Sequence, residues 1–353
     1  MKKIPALICE VTAWSRLGET ASSFILALTI GFLFAPSPSY AACDFSSSPG
    51  LIALSCTGTI SVAADYSQVV GFTTAGTIGS INSSGGVGGN GLNIVITSDA
   101  NLIGSGLYTE GFLVFSAGGD GAVNGSGGIG GDGGTVTVIS SGTISTEGTG
   151  SPAIFAESFG GIGAVNGSGG TGGDGSVVTV SSAGAITTTG DLSHGIMTAS
   201  FGGAGAINGN GVGGNAGVVT VTSYAGITAS GANSDAIHAY SAGGPGALNG
   251  SGPDGSAANV TVNITGGTVQ GGSSAGYGVY IATGSASGNT ATLNNDGIIS
   301  ALSGNAIRGI GANVYVGNRG TVIGNVDLSG ANANFDNRET GIFESGSSVN
   351  AFV

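Results

Sequence analysis

An internal repeat of 42 residues constrains this chain more than any other feature. The segment GAVNGSGGIGGDGGTVTV at residues 121–138 recurs at 163–180, 205–221 and 246–262, and a degenerate first copy occupies 79–96. Successive copies carry one matching asparagine each, at spacings of 42, 42, 42 and 41 residues: Asn82, Asn124, Asn166, Asn208 and Asn249. A fixed period of this length is typical of a solenoid, in which each repeat stacks on the next.

Each repeat combines three short strand-like elements with a glycine-rich segment. In the second repeat the elements are TVTVIS at 135–140, TIST at 143–146 and AIFAES at 153–158, and a glycine-rich segment follows at 160–175. Beyond residue 288 that segment is missing, and apolar residues there recur every 21 positions: Leu293, Val314 and Phe335. The three-strand unit is therefore the invariant part, and the glycine segment is an addition to it.

We predict an all-β fold, a right-handed parallel β-helix with a glycine-rich loop inserted once per rung. Stacked rungs would bury one apolar column per strand, and the repeated asparagines would form an amide ladder along the turns. A β-sandwich of hairpins is the alternative, but hairpins give no reason for a 42-residue register. We divide the chain into a signal peptide (1–41), an N-terminal cap (42–78), five long repeats (79–287) and a short-rung segment (288–353).

Composition supports a folded, exported protein. Glycine accounts for 74 of 353 residues but not at every third position, which excludes collagen, and 40% hydrophobic residues argue against a disordered linker. The apolar run FILALTIGFLF followed by small residues predicts a signal peptide cleaved after Ala41, with a membrane anchor or a lipoprotein at Cys43 as alternatives. Cys43 and Cys56 then form an even pair in an oxidising compartment, and we expect a disulfide between them.

Charge argues against nucleic acid and lipid partners. After residue 41 the chain has three arginines, no lysine and 17 acidic residues, a net charge near −14. We therefore expect neither nucleic-acid binding nor membrane insertion by this chain itself. The lack of lysine also excludes a phosphate-binding P-loop.

Two patterns are candidates for metal binding or catalysis. Asp132 and Asp174 sit in GGDG-type turns one repeat apart and are weak calcium candidates, although a solvated role is the simpler interpretation. His194 falls in register with Asp235 beside Ser193 and Ser234, which resembles part of a hydrolase triad, but a polar turn contact explains it as well. No histidine–cysteine cluster has zinc spacing. We expect no cofactor and no catalytic residues.

Aromatic residues on the third element are the interaction candidates: Phe115, Phe159, Phe201 and Tyr240. Outward-facing, they would form an apolar stripe suited to a protein or a glycan. Alternation alone does not decide between Ile154 and Phe155 for the core, and we favour Ile154 inward.

The early cysteine pair, the GxGG-rich units and the closing run GTVIGNVDLSGANANFDNRETGIFESGSSV (320–349) resemble the passenger region of glycine-rich alphaproteobacterial autotransporters. The resemblance implies a β-helical passenger, display at the outer-membrane surface or release outside the cell after periplasmic transit, and adhesion or self-association without enzymatic activity. Such proteins carry a C-terminal translocator barrel, for which this sequence leaves no room. A β-helical polysaccharide-acting enzyme, or an inactive autotransporter fragment, is the alternative.

Overall fold

The computed structural model describes residues 42–63, 65, 67–284 and 288–346. The predicted signal peptide lies outside them. The described residues form an all-β parallel β-helix of nine rungs, and none of them belongs to a helix long and apolar enough to cross a membrane. Each of the first eight rungs contributes one strand to each of three sheets, the described part of the ninth contributes to two of them, and strands of successive rungs pair in parallel.

The strands of the four sheets follow in rung order. Sheet 1 contains Ala42–Ser48, Leu51–Thr57, Asn93–Ser98, Val136–Ser140, Val178–Ser182, Val219–Ser223, Val260–Ile264, Thr290–Asn295, Asn313–Asn318 and Asn332–Asn337. Sheet 2 contains Thr59–Val62, Asn101–Ser105, Ile144–Glu147, Ile186–Thr188, Ile227–Ala229, Thr268–Gly271, Ile298–Ala301, Thr321–Ile323 and Ile342–Glu344. Sheet 3 contains Gln68–Ala75, Glu110–Ala117, Ile154–Phe159, Ile196–Phe201, Ile237–Ala242, Tyr277–Thr283, Asn305–Ile310 and Asn325–Ser329. Sheet 4 contains Ser80–Ile81, Ala122–Val123, Ala164–Val165, Ala206–Asn210 and Ala247–Ser251.

The core is a set of vertical apolar columns between the first three sheets. In sheet 1, Val136 pairs with Val178, and in sheet 2, Ile144 pairs with Ile186. All four side chains are 0 or 1% exposed. Like-on-like stacking of this kind repeats along each column, so every rung buries its apolar side against its neighbours.

A short antiparallel hairpin closes part of the N-terminal end. Strand Ala42–Ser48 pairs antiparallel with Leu51–Thr57, opposite to every other pairing in the sheet, and the Phe45 ring stacks on Phe72 with centroids 5.9 Å apart. The Cys43–Cys56 disulfide predicted from the sequence is present across this hairpin. Residues 51–75 already form a complete rung in register with the next, so only the first strand of the 42–78 segment lies outside the solenoid pattern.

The glycine-rich inserts after the first five rungs are ordered, and together they form a structure that we call the glycine arm (residues 76–92, 118–134, 160–176, 202–217 and 243–258). Each insert runs outward, turns and returns, which gives the arm an outgoing layer and a returning layer. In the returning layer, every third N–H donates to the carbonyl of the next rung, as from Gly85 to Ser126 and from Gly88 to Ile129. This spacing of three residues between bonds in the returning layer equals the period of a polyproline II helix.

The two layers of the arm also bond to each other. The N–H of Gly119 donates to the Gly89 carbonyl at 2.8 Å, and Gly131 donates to Gly119 at 2.8 Å. A β-carbon on Gly131 would lie 2.0 Å from the Gly89 carbonyl oxygen, closer than any real contact. Glycine is therefore required because neighbouring backbones occupy the space of a side chain. The sequence left open whether the inserts are ordered, and this backbone bonding orders them.

A column of serines, which we did not predict, attaches the arm to sheet 3. The Ser158 hydroxyl donates to the Gly134 carbonyl and accepts the N–H of Ser176, both at 2.9 Å. Equivalent serines repeat this arrangement in neighbouring rungs: Ser116, Ser200 and Ser241. The base of each insert is thus fixed to the solenoid by side-chain bonds.

Candidate functional site

The predicted aromatic residues lie together on the outer face of sheet 3. Ring centroids are 5.1 Å apart between Phe115 and Phe159, 4.7 Å between Phe159 and Phe201, and 5.4 Å between Phe201 and Tyr240. All four side chains are half-buried. Ile154 is fully buried and Phe155 is not, so the orientation favoured from the sequence is correct.

One pair of the aromatic ladder (Phe115, Phe159, Phe201 and Tyr240) is stacked along the solenoid axis. Phe159 and Phe201 have only 29° between their planes, so each covers a face of the other. The Phe115–Phe159 and Phe201–Tyr240 contacts are tilted, at 37° and 59°. Ring contacts between successive rungs stabilise their stacking.

One carboxylate is buried within the ladder. Glu157 pairs in register with Phe115 on one side and Ala199 on the other, on the outer face between Phe155 and Phe159. It is 6% exposed, and desolvation raises the pKa of its carboxyl to about 7. Sequence analysis missed this residue because an acid on an outward position is ordinarily solvated.

A cluster of two histidines and an aspartate lies on the same side of the solenoid, on the two rungs that follow that of Glu157. The Nδ1 of His238 lies 2.8 Å from Oδ2 of Asp235, and the Nδ1 of His194 lies 3.6 Å from the same oxygen. Oδ1 of Asp235 accepts the N–H of Tyr277 at 2.7 Å, and the His238 ring stacks on Tyr280 at 4.3 Å. The structure thus brings His194 and Asp235 together, as their register indicated, and adds His238, which sequence analysis missed although it follows Asp235 by three residues.

The hydrogen bonds of this cluster define its resting state. His194 Nδ1 accepts the N–H of Asp235 at 3.0 Å, so that nitrogen carries no proton in this arrangement. His238 Nδ1 then donates to the Asp235 carboxylate. Burial is the main cause that lowers the pKa of His194. The His194 imidazole is therefore suited to the neutral form, which is the form that ligates metals.

The neighbouring serines do not complete a hydrolase arrangement. The Ser193 hydroxyl donates to the Gly148 carbonyl at 2.9 Å, and the Ser234 hydroxyl donates to the Gly190 carbonyl at 3.2 Å. Both residues are fully buried. Neither hydroxyl makes the bond to a histidine that activates a serine nucleophile.

The two calcium candidates cap backbone groups of adjacent rungs. An Asp132 carboxylate oxygen accepts the N–H of Asp174 at 2.9 Å, and Asp174 in turn accepts the N–H of Asn215 at 2.6 Å. Within the described ranges no third acidic, histidine or cysteine group joins this pair in a metal-ligating cluster. The calcium hypothesis stays a prediction, and the observed bonds give both residues a structural role.

The repeated asparagines form amide ladders at the tip of the glycine arm. The Asn124 amide donates to Asn82 at 3.0 Å, and the Asn166 amide donates to Asn124 at 2.9 Å. These three residues have φ between 57° and 60°, a conformation that asparagine tolerates well. Asn249 donates separately to Asn208 at 3.4 Å, where the turn is replaced by a longer strand.

Both layers of the glycine arm carry exposed apolar side chains. On the outgoing layer, Ile81 and Leu248 are 61% and 57% exposed, and on the returning layer, Val87, Ile129 and Val212 are 63%, 49% and 45% exposed. The layers pack on each other through glycine, so their side chains point to opposite sides. Each side therefore carries a column of residues at the rung spacing, which is apolar on the outgoing side and is interrupted by Thr171 on the returning side.

The chain was compared with protein-family models, curated proteins and solved structures, and none of these comparisons finds a match.

Proposed function

We propose that this protein is an exported, non-enzymatic, passenger-like β-helix that associates with further copies of itself through the glycine arm, at the outer-membrane surface or outside the cell. The exposed apolar columns on the two sides of the arm carry the proposal. Self-association of displayed chains is one physical route to adhesion between cells.

Rigidity makes the arm suitable as a contact surface. Bonds between rungs and between layers already fix its backbone, so association costs little loop-ordering entropy. A flat surface with a regular repeat can also match a copy of itself without rearrangement. Exposed apolar patches mark interaction sites in soluble proteins.

The salt dependence of binding distinguishes association with a second copy from binding to a basic partner, because this chain is strongly acidic. The chain after residue 41 carries a net charge near −14, so two copies repel each other at long range. Added salt screens that repulsion and strengthens apolar contacts. Self-association should therefore strengthen with ionic strength, whereas capture of a basic partner should weaken.

The two-sided geometry predicts the size of the assembly. Because apolar columns lie on opposite sides of the arm, one chain can contact two others and assembly can extend beyond a dimer. Analytical ultracentrifugation over a concentration and salt series tests this directly. We expect oligomers for the wild type, smaller species for Ile129→Asn or Leu248→Asn alone, and monomers when both are combined.

Ile103→Asn provides the matched control. Ile103 is 43% exposed on sheet 2, away from the arm, and its replacement should leave assembly unchanged. A wild type that stays monomeric at high salt would overturn the proposal, as would equal loss of assembly in the control. Export is tested separately, by fusing residues 1–60 to a reporter enzyme that is active only outside the cytoplasm.

A further inference from the structure

We propose that His194, Asp235 and His238 form a binding site for one divalent transition-metal ion, with Zn²⁺ as the expected ligand. The site is independent of the glycine arm and of the self-association proposed above. Of the described residues, only these three make a group of three potential metal ligands, with one donor atom of each lying within 4.8 Å of the others.

The concentration of histidine at this point supports the inference. The whole chain contains two histidines in 353 residues, and both lie here against one carboxylate. His194 and Asp235 each lie two residues before a strand of sheet 3, Ile196–Phe201 and Ile237–Ala242, and His238 is the second residue of the latter. A bound ion would therefore bridge two successive rungs.

The donor spacing suits a small ion. In a tetrahedral zinc site with metal–ligand distances near 2.1 Å, neighbouring donor atoms lie about 3.4 Å apart. The two distances to Asp235 Oδ2 are 2.8 and 3.6 Å, on either side of that value. Two imidazoles and one carboxylate are a donor set for Zn²⁺, Cu²⁺ or Ni²⁺, and not for Ca²⁺ or Mg²⁺, which prefer oxygen.

Surrounding groups hold two of the ligands in place. The Tyr277 N–H donates a hydrogen bond to Oδ1 of Asp235, which leaves Oδ2 facing the two imidazoles. The His238 ring lies nearly parallel to Tyr280, with 10° between the planes. Such supporting contacts orient ligands in metal sites. The histidine side chains remain 17% and 26% exposed, which leaves room for a water molecule or another donor as the fourth ligand.

Binding has a definite cost in this chain. The ion would replace the Asp235 N–H bond to His194 and the His238 N–H bond to the carboxylate. The proton on His238 Nδ1 would move to Nε2 or to solvent. Because two hydrogen bonds are exchanged for coordination, we expect weaker binding than in a closed four-ligand structural site.

Isothermal titration of the chelator-treated full chain with ZnCl₂, alongside MgCl₂, tests the site. We expect one Zn²⁺ per chain and no Mg²⁺ binding at this site. His194→Gln and His238→Gln should each weaken Zn²⁺ binding at least tenfold, about 1.4 kcal/mol. Co²⁺ should give the visible bands of a low-coordinate site with nitrogen ligands, and His238→Gln should remove them.

Asp191→Asn is the matched control. Asp191, like Asp235, accepts a backbone N–H of the next rung, at 2.8 Å from Ala232, but lies on an exposed turn outside the cluster. Its replacement should leave Zn²⁺ affinity unchanged, and circular dichroism will show whether each variant is folded. The proposal is overturned if the folded wild type binds no Zn²⁺, if folded histidine variants bind as tightly as wild type, or if Asp191→Asn weakens binding equally.

Discussion

Replacing Glu157 by glutamine should stabilise the protein in a strongly pH-dependent way. Glu157 lies within the aromatic ladder at 6% exposure, and burial raises the pKa of its carboxyl from 4.5 to about 7. Between these two values the folded state keeps a proton that the unfolded state has lost. The free energy of unfolding therefore falls as the pH rises through this window.

The size of the effect follows from the shift. At 1.36 kcal/mol for each pKa unit, the charged carboxylate costs the folded state about 3 kcal/mol above pH 7. Glutamine resembles the protonated acid in shape and carries no charge. The stability gained by Glu157→Gln should consequently be near zero around pH 4.5 and approach 3 kcal/mol at about pH 8.

Urea unfolding of wild type and variant across that pH range measures this difference directly. The difference in unfolding free energy between variant and wild type cancels the contributions of other titrating groups, including His194, because both proteins contain them. Glu147→Gln, on an exposed position of sheet 2, is the control and should give a flat profile. A pH-independent difference for Glu157→Gln, or one that increases toward acid, would refute the reasoning.

Two further predictions concern the glycine arm. Gly131→Ala places a β-carbon 2.0 Å from the Gly89 carbonyl oxygen and should destabilise the protein by about 1–3 kcal/mol or more. Gly266→Ala is the control, because its β-carbon meets nothing within 4 Å, and it should change stability by less than about 1 kcal/mol. Similar urea midpoints for the two variants would contradict the packing argument. Asn124→Ala should cost about 2 kcal/mol because it loses two ladder bonds and leaves a β-carbon at φ 57°, and Asn124→Gly should cost less because glycine adopts that conformation freely. Thermal unfolding of both Asn124 variants checks this order, and an alanine variant as stable as the glycine variant would show that the backbone conformation is not limiting.

Much of the solenoid was predictable because identical side chains stack on themselves. The 42-residue period already placed Ile144 over Ile186 and His194 near Asp235, since register in a parallel solenoid follows from sequence separation alone. The Cys43–Cys56 disulfide followed from the even pair of cysteines after the predicted signal peptide. Alternation alone did not decide between Ile154 and Phe155 for the core, and the preference for Ile154 is confirmed by its complete burial.

The candidate sites were less accessible, because they depend on how neighbouring columns meet. His238 stands in a different column from His194, and only the path of the strand brings its ring to Asp235. Glu157 points outward but is buried beside aromatic rings of its own and the neighbouring rung. A periodic pattern in the sequence does not predict such burial. The Ser158 hydroxyl reaches Gly134 across 24 residues and gave no local signal.

The amino-acid sequence by itself determined the repeat, the apolar columns and therefore the parallel β-helix, because each of these depends only on which residues recur at a fixed spacing. Only the tertiary structure decided that the glycine-rich inserts form an ordered two-layer arm with apolar sides. Glycine has no side chain to signal a partner, and the bonds that order the arm join backbone groups such as those of Gly119 and Gly89 on different rungs. That order arises from close backbone approach, which exists only once the rungs have stacked.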